Sequence, residues 1–205
     1  TEFSYDEFYK YLELNDINVS LPSWLPRKPL ILKTITSLDN EKISELFNSS
    51  NGDEIEFWYN FIDAMCERDS RIHPILDPDT VKHVLLRLAS LTRERAQNVG
   101  PITESEVVNI FFEVTGSYPN EQSTVMLQRL PGLGRVSSET GDRNFVDDFV
   151  LDGLRALDLV ERISSSDRNL SNLKWLNPLR KLGVSILSRE VQQRGLTSLF
   201  ITYAK

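Results

Sequence analysis

The chain has 205 residues, 26% charged and 40% hydrophobic, with a formal net charge of −7, which is the balance of an ordinary globular chain and excludes a disordered or fibrous one. No apolar run approaches the length that crosses a bilayer, no signal-peptide pattern opens the chain, and a single cysteine excludes an internal disulfide framework. A reducing, cytoplasmic setting is the expectation.

The charge is unevenly spread: −6 over residues 1–99, −6 over 100–163 and +5 over 164–205. The change of sign falls at "SSSDRN", which reads as a linker. The chain opens at Thr1, not Met, inside what reads as a helix, and is expected to be a piece of something longer.

Ser4 and Glu7 have capping-box spacing and predict a short helix to about Leu14. A stiff corner follows, "LPSWLPRKPLIL" (21–32), with three prolines around Trp24. Pro29 is placed to open a helix, "PLILKTITSL". "NSSNGD" (48–53) reads as a loop. From Asp53 onward Ile55, Trp58, Tyr59, Ile62, Met65 and Cys66 share one helical face. Asp77 as N-cap with Pro78 behind it starts the next helix, whose apolar stripe is Val81, Val84, Leu85, Leu88 and Leu91.

Thr103 and Glu106 form a second capping box. Val107, Ile110, Phe111 and Val114 face a core, and Gly116 is a natural C-terminal stop. Asn120 opens a helix that ends near Pro131. "LGRVSSETGDRNF" (133–145) carries a short strand signal and a Thr-Gly turn. Phe145, Val146, Phe149, Val150, Leu154 and Leu157 repeat at helical spacing, and "LDLVERI" (157–163) is a strand candidate. In the tail, Asn177-Pro178 starts a helix with Leu179, Leu182, Ile186, Leu187 and Val191 inward, ending at Gly195. "LTSLFITYA" (196–204) reads as β.

The expected fold is mainly α: a helical bundle, then a winged-helix-like unit, then a short β-containing C-terminal tail. Its divisions are an exit helix and proline loop at 1–28, a helical domain at 29–100, the winged-helix-like domain at 101–163, and at 164–205 a linker with the start of a C-terminal sensor or repeat domain.

Chemistry is sparse. One Cys and two His, His73 and His83, cannot build a structural zinc site. Cys66 and His73 are two helical turns apart, about 10 Å, too far for a direct nucleophile–base bond, and a Cys on an apolar stripe reads as core. Asp147, Asp148, Asp152 and Asp158 supply the carboxylate pairs that acid–base catalysis needs, but they read as a solvated acidic face. "PGLGR" (131–135) contains two glycines without a GxGxxG or a GxxxxGK[ST] pattern, so the chain is not a complete P-loop enzyme. DNA reading is not expected, because the winged unit is acidic and its candidate recognition helix, "NEQSTVMLQRL" (120–130), offers one arginine.

Two stretches carry a resemblance. "LPSWLPRKPLIL" resembles the segment that follows the nucleotide-binding core in STAND NTPases of the NACHT type, where a proline opening the next helical domain lies against the adenine of ADP or ATP. Pro29 matches that proline, and Trp24 would be part of a rigid lid. "RNFVDDFVLDGLRALDL" (143–159) is similar to the closing helix of the NACHT winged-helix domain, with Phe145, Phe149 and Ala156 matching. That family often has a histidine on the ADP β-phosphate where this chain has Asp147, and an anion cannot donate as histidine does. "LQRLPGLGR" and the acidic helix also resemble bacterial STAND proteins, several of which act against phage.

The resemblance implies a regulatory arm of a signalling NTPase. No catalytic residue lies in the fragment, and Pro29, Trp24 and Asp147 are the candidate nucleotide contacts. ADP or ATP with magnesium would be held by an upstream nucleotide-binding domain, the arm's partner. A protein trigger or self-association would accompany activation, with neither DNA nor membrane engaged. The alternatives are a winged-helix protein-interaction or DNA-associated module outside any NTPase, and a small enzyme using Cys66 or the acidic helix.

Overall fold

Helix starts in this chain are set by short polar side chains that satisfy the unpaired amides of a first turn. In the computed structural model, which describes residues 2–48, 52–72, 76–137, 139–167, 170 and 176–203 (backbone only for 69–72), the predicted caps are in place. The Ser4 hydroxyl accepts from Glu7 N, and the Glu7 carboxylate accepts from Ser4 N at 2.8 Å, opening α1 (Tyr5–Glu13). Pro29 is the first residue of α2 (Pro29–Thr36). A helix that the sequence reading passes over, α3 (Asn40–Asn48), follows. Asp53 accepts from Ile55 N and Glu56 N at the head of α4 (Glu54–Ile72). Asp77 accepts from Thr80 N at the head of α5 (Pro78–Thr92).

Beyond α5 the order is that of a winged-helix-like unit. Ile102 forms an isolated antiparallel bridge with Arg143. The Thr103 capping box opens α6 (Glu104–Thr115), which ends on left-handed Gly116 at φ 74°. Asn120 caps α7 (Glu121–Leu127). Strands β1 (Leu133–Arg135) and β2 (Arg143–Phe145) pair antiparallel with Leu133 opposite Phe145. Asp147 then caps α8 (Asp148–Ser164).

Two strand expectations are corrected. "LDLVERI" is the second half of α8: nothing between Ala156 and Leu157 breaks the helix, and Asp158 and Arg162 pair at i, i+4 along it. "LTSLFITYA" contains α10 (Thr197–Tyr203), which follows α9 (Lys181–Gln193) after a turn at Gly195. The Thr and Ile content suggested β, but a helix satisfies its own backbone where a strand needs a neighbour. Phe200 and Tyr203 lean on the core, and the Thr202 hydroxyl bonds back to Ser198 O at 3.0 Å. The tail is therefore helical among the described residues, not β-containing, while the fold as a whole is mainly α with one small antiparallel sheet.

The centre is α8. Every residue from Phe149 to Val160 is buried, so over that stretch the helix has no solvent face. It packs on α5 and α9, with α4 and α10 also against it. Where α4 crosses it, the buried Trp58 Nε1 donates to Phe149 O at 3.0 Å. Residues of α1 to α9 share a single buried apolar cluster.

Candidate functional site

The proline corner is a closed structure. Phe3 N donates to Arg27 O at 2.8 Å, and Arg27 Nε donates back to Phe3 O at 2.9 Å. The Arg27 guanidinium lies 4.3 Å from the centre of the Tyr5 ring, a cation–π contact. Leu25 N donates to Pro22 O, turning the chain, and Leu25 is buried. Trp24 presses on α4: its ring meets Phe57 edge-on at 5.3 Å, and its Nε1 donates to Gly52 O at 2.9 Å. Both its apolar body and its polar handle are thus used within the fold. Pro29 is exposed.

Asp147 is reached from the other end of the sequence. Gly132, at φ 77°, accepts from Val146 N, and Phe145 N donates to Val99 O, which fixes the approach to α8. The Asp147 side chain is 1% exposed. Its Oδ1 accepts from Phe149 N at 2.8 Å and Val150 N at 3.1 Å. Its Oδ2 accepts no hydrogen bond and stands 3.4 Å from Lys28 Nζ. The structure therefore brings Asp147 to the residue preceding Pro29, while Trp24 is engaged with Gly52 and Phe57.

The other acidic residues overturn the expectation of a solvated face. Asp152 is buried; its Oδ1 accepts from Arg180 N at 2.7 Å and its Oδ2 from Gly183 N at 2.6 Å, so a carboxylate of α8 caps the start of α9. Asp158, also buried, is gripped by Arg87 and by Arg162 Nε. Burial alone would lower the Arg162 pKa, but the charge of Asp158 and bonds to Asp158 and Asp167 outweigh it and raise it. Asp148 is half-buried and pairs with Arg180 at 2.7 Å. Asp152 and Asp158 are thus taken up by groups of the fold, while Asp148 and Arg180 remain partly exposed.

Two buried arginines, which the sequence reading did not single out, tie the helices together. Arg155 donates to Ala89 O, Thr92 Oγ1, Asn98 Oδ1 and Asn98 O, closing the C-terminus of α5. Burial pushes its guanidinium down to about 10. Arg93 donates through Nε to Asn177 O, and burial, with Arg155 nearby, likewise pushes it down to about 10. The visible signal was an Arg interleaved with Asp at 152, 155, 158 and 162, a spacing that serves neighbours as well as solvent.

Cys66 is buried in the core of α4. His73 lies outside the described residues. His83 is half-exposed, with Nδ1 2.8 Å from Asp79 O. No group of three metal-ligating side chains occurs among the described residues, and no described helix is long and apolar enough to cross a membrane. A cleft of about 460 Å³ between residues 16–20 and α3 is lined by Asn18, Ser20, Asn40, Ser44 and Asn48, and not by Pro29, Trp24 or Asp147.

Comparison with protein-family models, curated proteins and solved structures gave no match.

Proposed function

We propose that the chain is the helical and winged-helix regulatory arm of a STAND-type signalling NTPase, one half of a nucleotide-dependent switch whose phosphate loop belongs to an upstream domain. The observation that carries this reading is the meeting of Lys28 and Asp147. The two segments that resemble the family are far apart in sequence, yet the proline corner and the head of α8 touch, and the neighbouring Pro29 is exposed. A nucleotide edge placed against Pro29 would be read by both segments at once, which is what a two-state arm needs. On this reading the arm itself turns over no nucleotide, since its sequence carries no phosphate-loop pattern.

Calorimetry with ADP tests the reading on a chain extended upstream by a nucleotide-binding domain, beside residues 1–205. Binding by the longer chain alone, weakened at least tenfold by Pro29→Ala without an equal loss of melting temperature, is the expected result. ATP hydrolysis by residues 1–205 alone, or no binding by either, overturns it.

A second reading is a protein-interaction module. Phe112 and Tyr118 stack at 4.5 Å between α6 and α7, and both are exposed, with Glu113 and Glu121 exposed beside them in sequence. Such a surface suits a protein and repels DNA phosphates. Salt-sensitive duplex binding would count against both readings.

A further inference from the structure

One wall of the cleft beside α3 is backbone rather than helix. After α1 the chain turns at Asp16, whose φ of 58° is left-handed, and residues 17–20 run outside any helix or strand. Both ends of this run are fastened. Ile17 N donates to Leu12 O at 3.0 Å, and Leu21 N donates to the Tyr9 hydroxyl at 3.4 Å. Between them the N–H groups of Asn18, Val19 and Ser20 and the carbonyls of 17–20 make no hydrogen bond to the protein among the described residues. Burial alternates along the run: Ile17 is buried, Asn18 exposed, Val19 half-buried and Ser20 exposed. That is the period of an extended strand. The segment is a held edge with its main-chain donors and acceptors unused, a template on which another strand can pair.

The opposite wall is α3. Asn40, Ser44 and Asn48 line it, with Asn48 Nδ2 donating to Ser44 Oγ at 2.9 Å. An amide side chain carries both a donor and an acceptor, the same pair of groups that a peptide main chain presents. The floor is apolar: Ile43 is buried, and Val19 and Phe47 pack against the core. Among the described residues that line the cleft, Asp16 alone is charged, so an anion finds no cation there. A carbohydrate would suit the amides but leave the main-chain edge unread. An extended peptide uses the edge, the amides and the apolar floor together.

We propose that the cleft of about 460 Å³ between residues 16–20 and α3 binds an extended, uncharged peptide segment of a partner protein by strand addition. The peptide main chain pairs with residues 18–20, and alternate side chains of valine or threonine size enter over Val19 and Ile43. Pro29, Trp24 and Asp147 do not line this cleft, and the assignment stands or falls without a nucleotide.

The test begins with a random heptapeptide library displayed on phage, selected on the 205-residue chain and counter-selected on Ser44→Trp. Ser44 is exposed on α3, so the indole fills the cleft without entering the core. The leading peptide is then measured by calorimetry against wild type, Ser44→Trp and Val19→Pro, the last removing an amide that the fold does not use. Two N-methylated copies, each blocking one alternate set of peptide amides, and chitotriose complete the set of ligands. Methylation of one set should weaken binding about tenfold and of the other set little, because only every second residue of a paired strand faces its neighbour. Both variants should lose about tenfold in affinity while keeping the wild-type melting temperature, and the bound peptide should slow hydrogen exchange at Asn18, Val19 and Ser20. If either variant melts early, the two methylated copies on the wild-type chain decide the matter alone. No enriched peptide that Ser44→Trp rejects, or equal effects of the two methylated sets, overturns the proposal. Binding of chitotriose in place of peptide overturns it in favour of a carbohydrate site.

Discussion

Trp58 and Gly153 share the space of one side chain where α4 crosses α8. A Cβ on Gly153 would stand 2.1 Å from Trp58 Cε2 and 2.5 Å from Nε1, closer than any two such atoms can come. The glycine is there because the indole is, and the indole is held by its bond to Phe149 O. Gly153→Ala is expected to destabilise the chain by about 3 kcal/mol, the upper range for overpacking. Trp58→Phe removes the indole bond to Phe149 O and frees space beside Gly153, at a cost of about 1 kcal/mol for the lost bond. The two changes together should be less harmful than their sum, a coupling that denaturant melts of the four chains would measure.

Asp152 makes a second prediction. Its carboxylate accepts both Arg180 N and Gly183 N, and each such bond to a charged acceptor is worth about 1.5–3 kcal/mol. Asp152→Ala should release α9 before the rest: amides of 182–191 should exchange faster than those of α5 in the same sample. Uniform loss of protection would show that α9 has no separate docking step. Gly183→Ala should act similarly, since its Cβ would lie 2.8 Å from Asp152 O.

Acid dependence follows from Asp77. Its carboxyl is held below the ordinary 3.8, chiefly by the Thr80 hydroxyl and then by the Thr80 amide. A carboxyl with a lowered folded pKa stabilises above its unfolded value and loses that contribution as pH falls through the folded one. Asp77→Ala should therefore cost about 1 kcal/mol near neutrality and progressively less below pH 3.8, where the wild type has lost the same interaction. Melting curves from pH 6 to pH 2.5 would show the two chains converging; parallel curves would remove Asp77 as the cause.

Cys66 gives a chemical check. Being buried in the core of α4, its thiol should react with a thiol reagent only at the rate at which the chain opens, and rise steeply with denaturant. Immediate reaction in buffer would reopen the cysteine-enzyme alternative.

What was legible in the sequence was local. Ser4, Asp77, Thr103, Asn120 and Gly116 announce helix ends through bonds that span three or four residues, and all five perform those roles. Residues 196–204 misled because Thr and Ile side chains favour strands only where a neighbouring strand exists to receive them. The acidic residues of α8 misled because their partners come from elsewhere: Arg87 from α5, Arg180 and Gly183 from the head of α9. Gly153 and Gly183, each inside a helix, were the unread signal, since a glycine that weakens its own helix usually marks a close neighbour. The meeting of Lys28 with Asp147 had no sequence signature, because no periodicity relates a loop to a helix start more than a hundred residues on.

The absence of a solvent face on α8 has a consequence for biosynthesis. The helix emerges after α4 and α5, which give it two walls, and before α9. Until residues 181–193 arrive, the apolar flank reserved for Leu182, Ile186 and Leu187 stays bare, a sticky interval of the kind that chaperones guard. Slow translation between Ser164 and Lys181 would lengthen that interval, so the aggregation tendency of this chain should depend on the tempo of its synthesis as much as on its final stability.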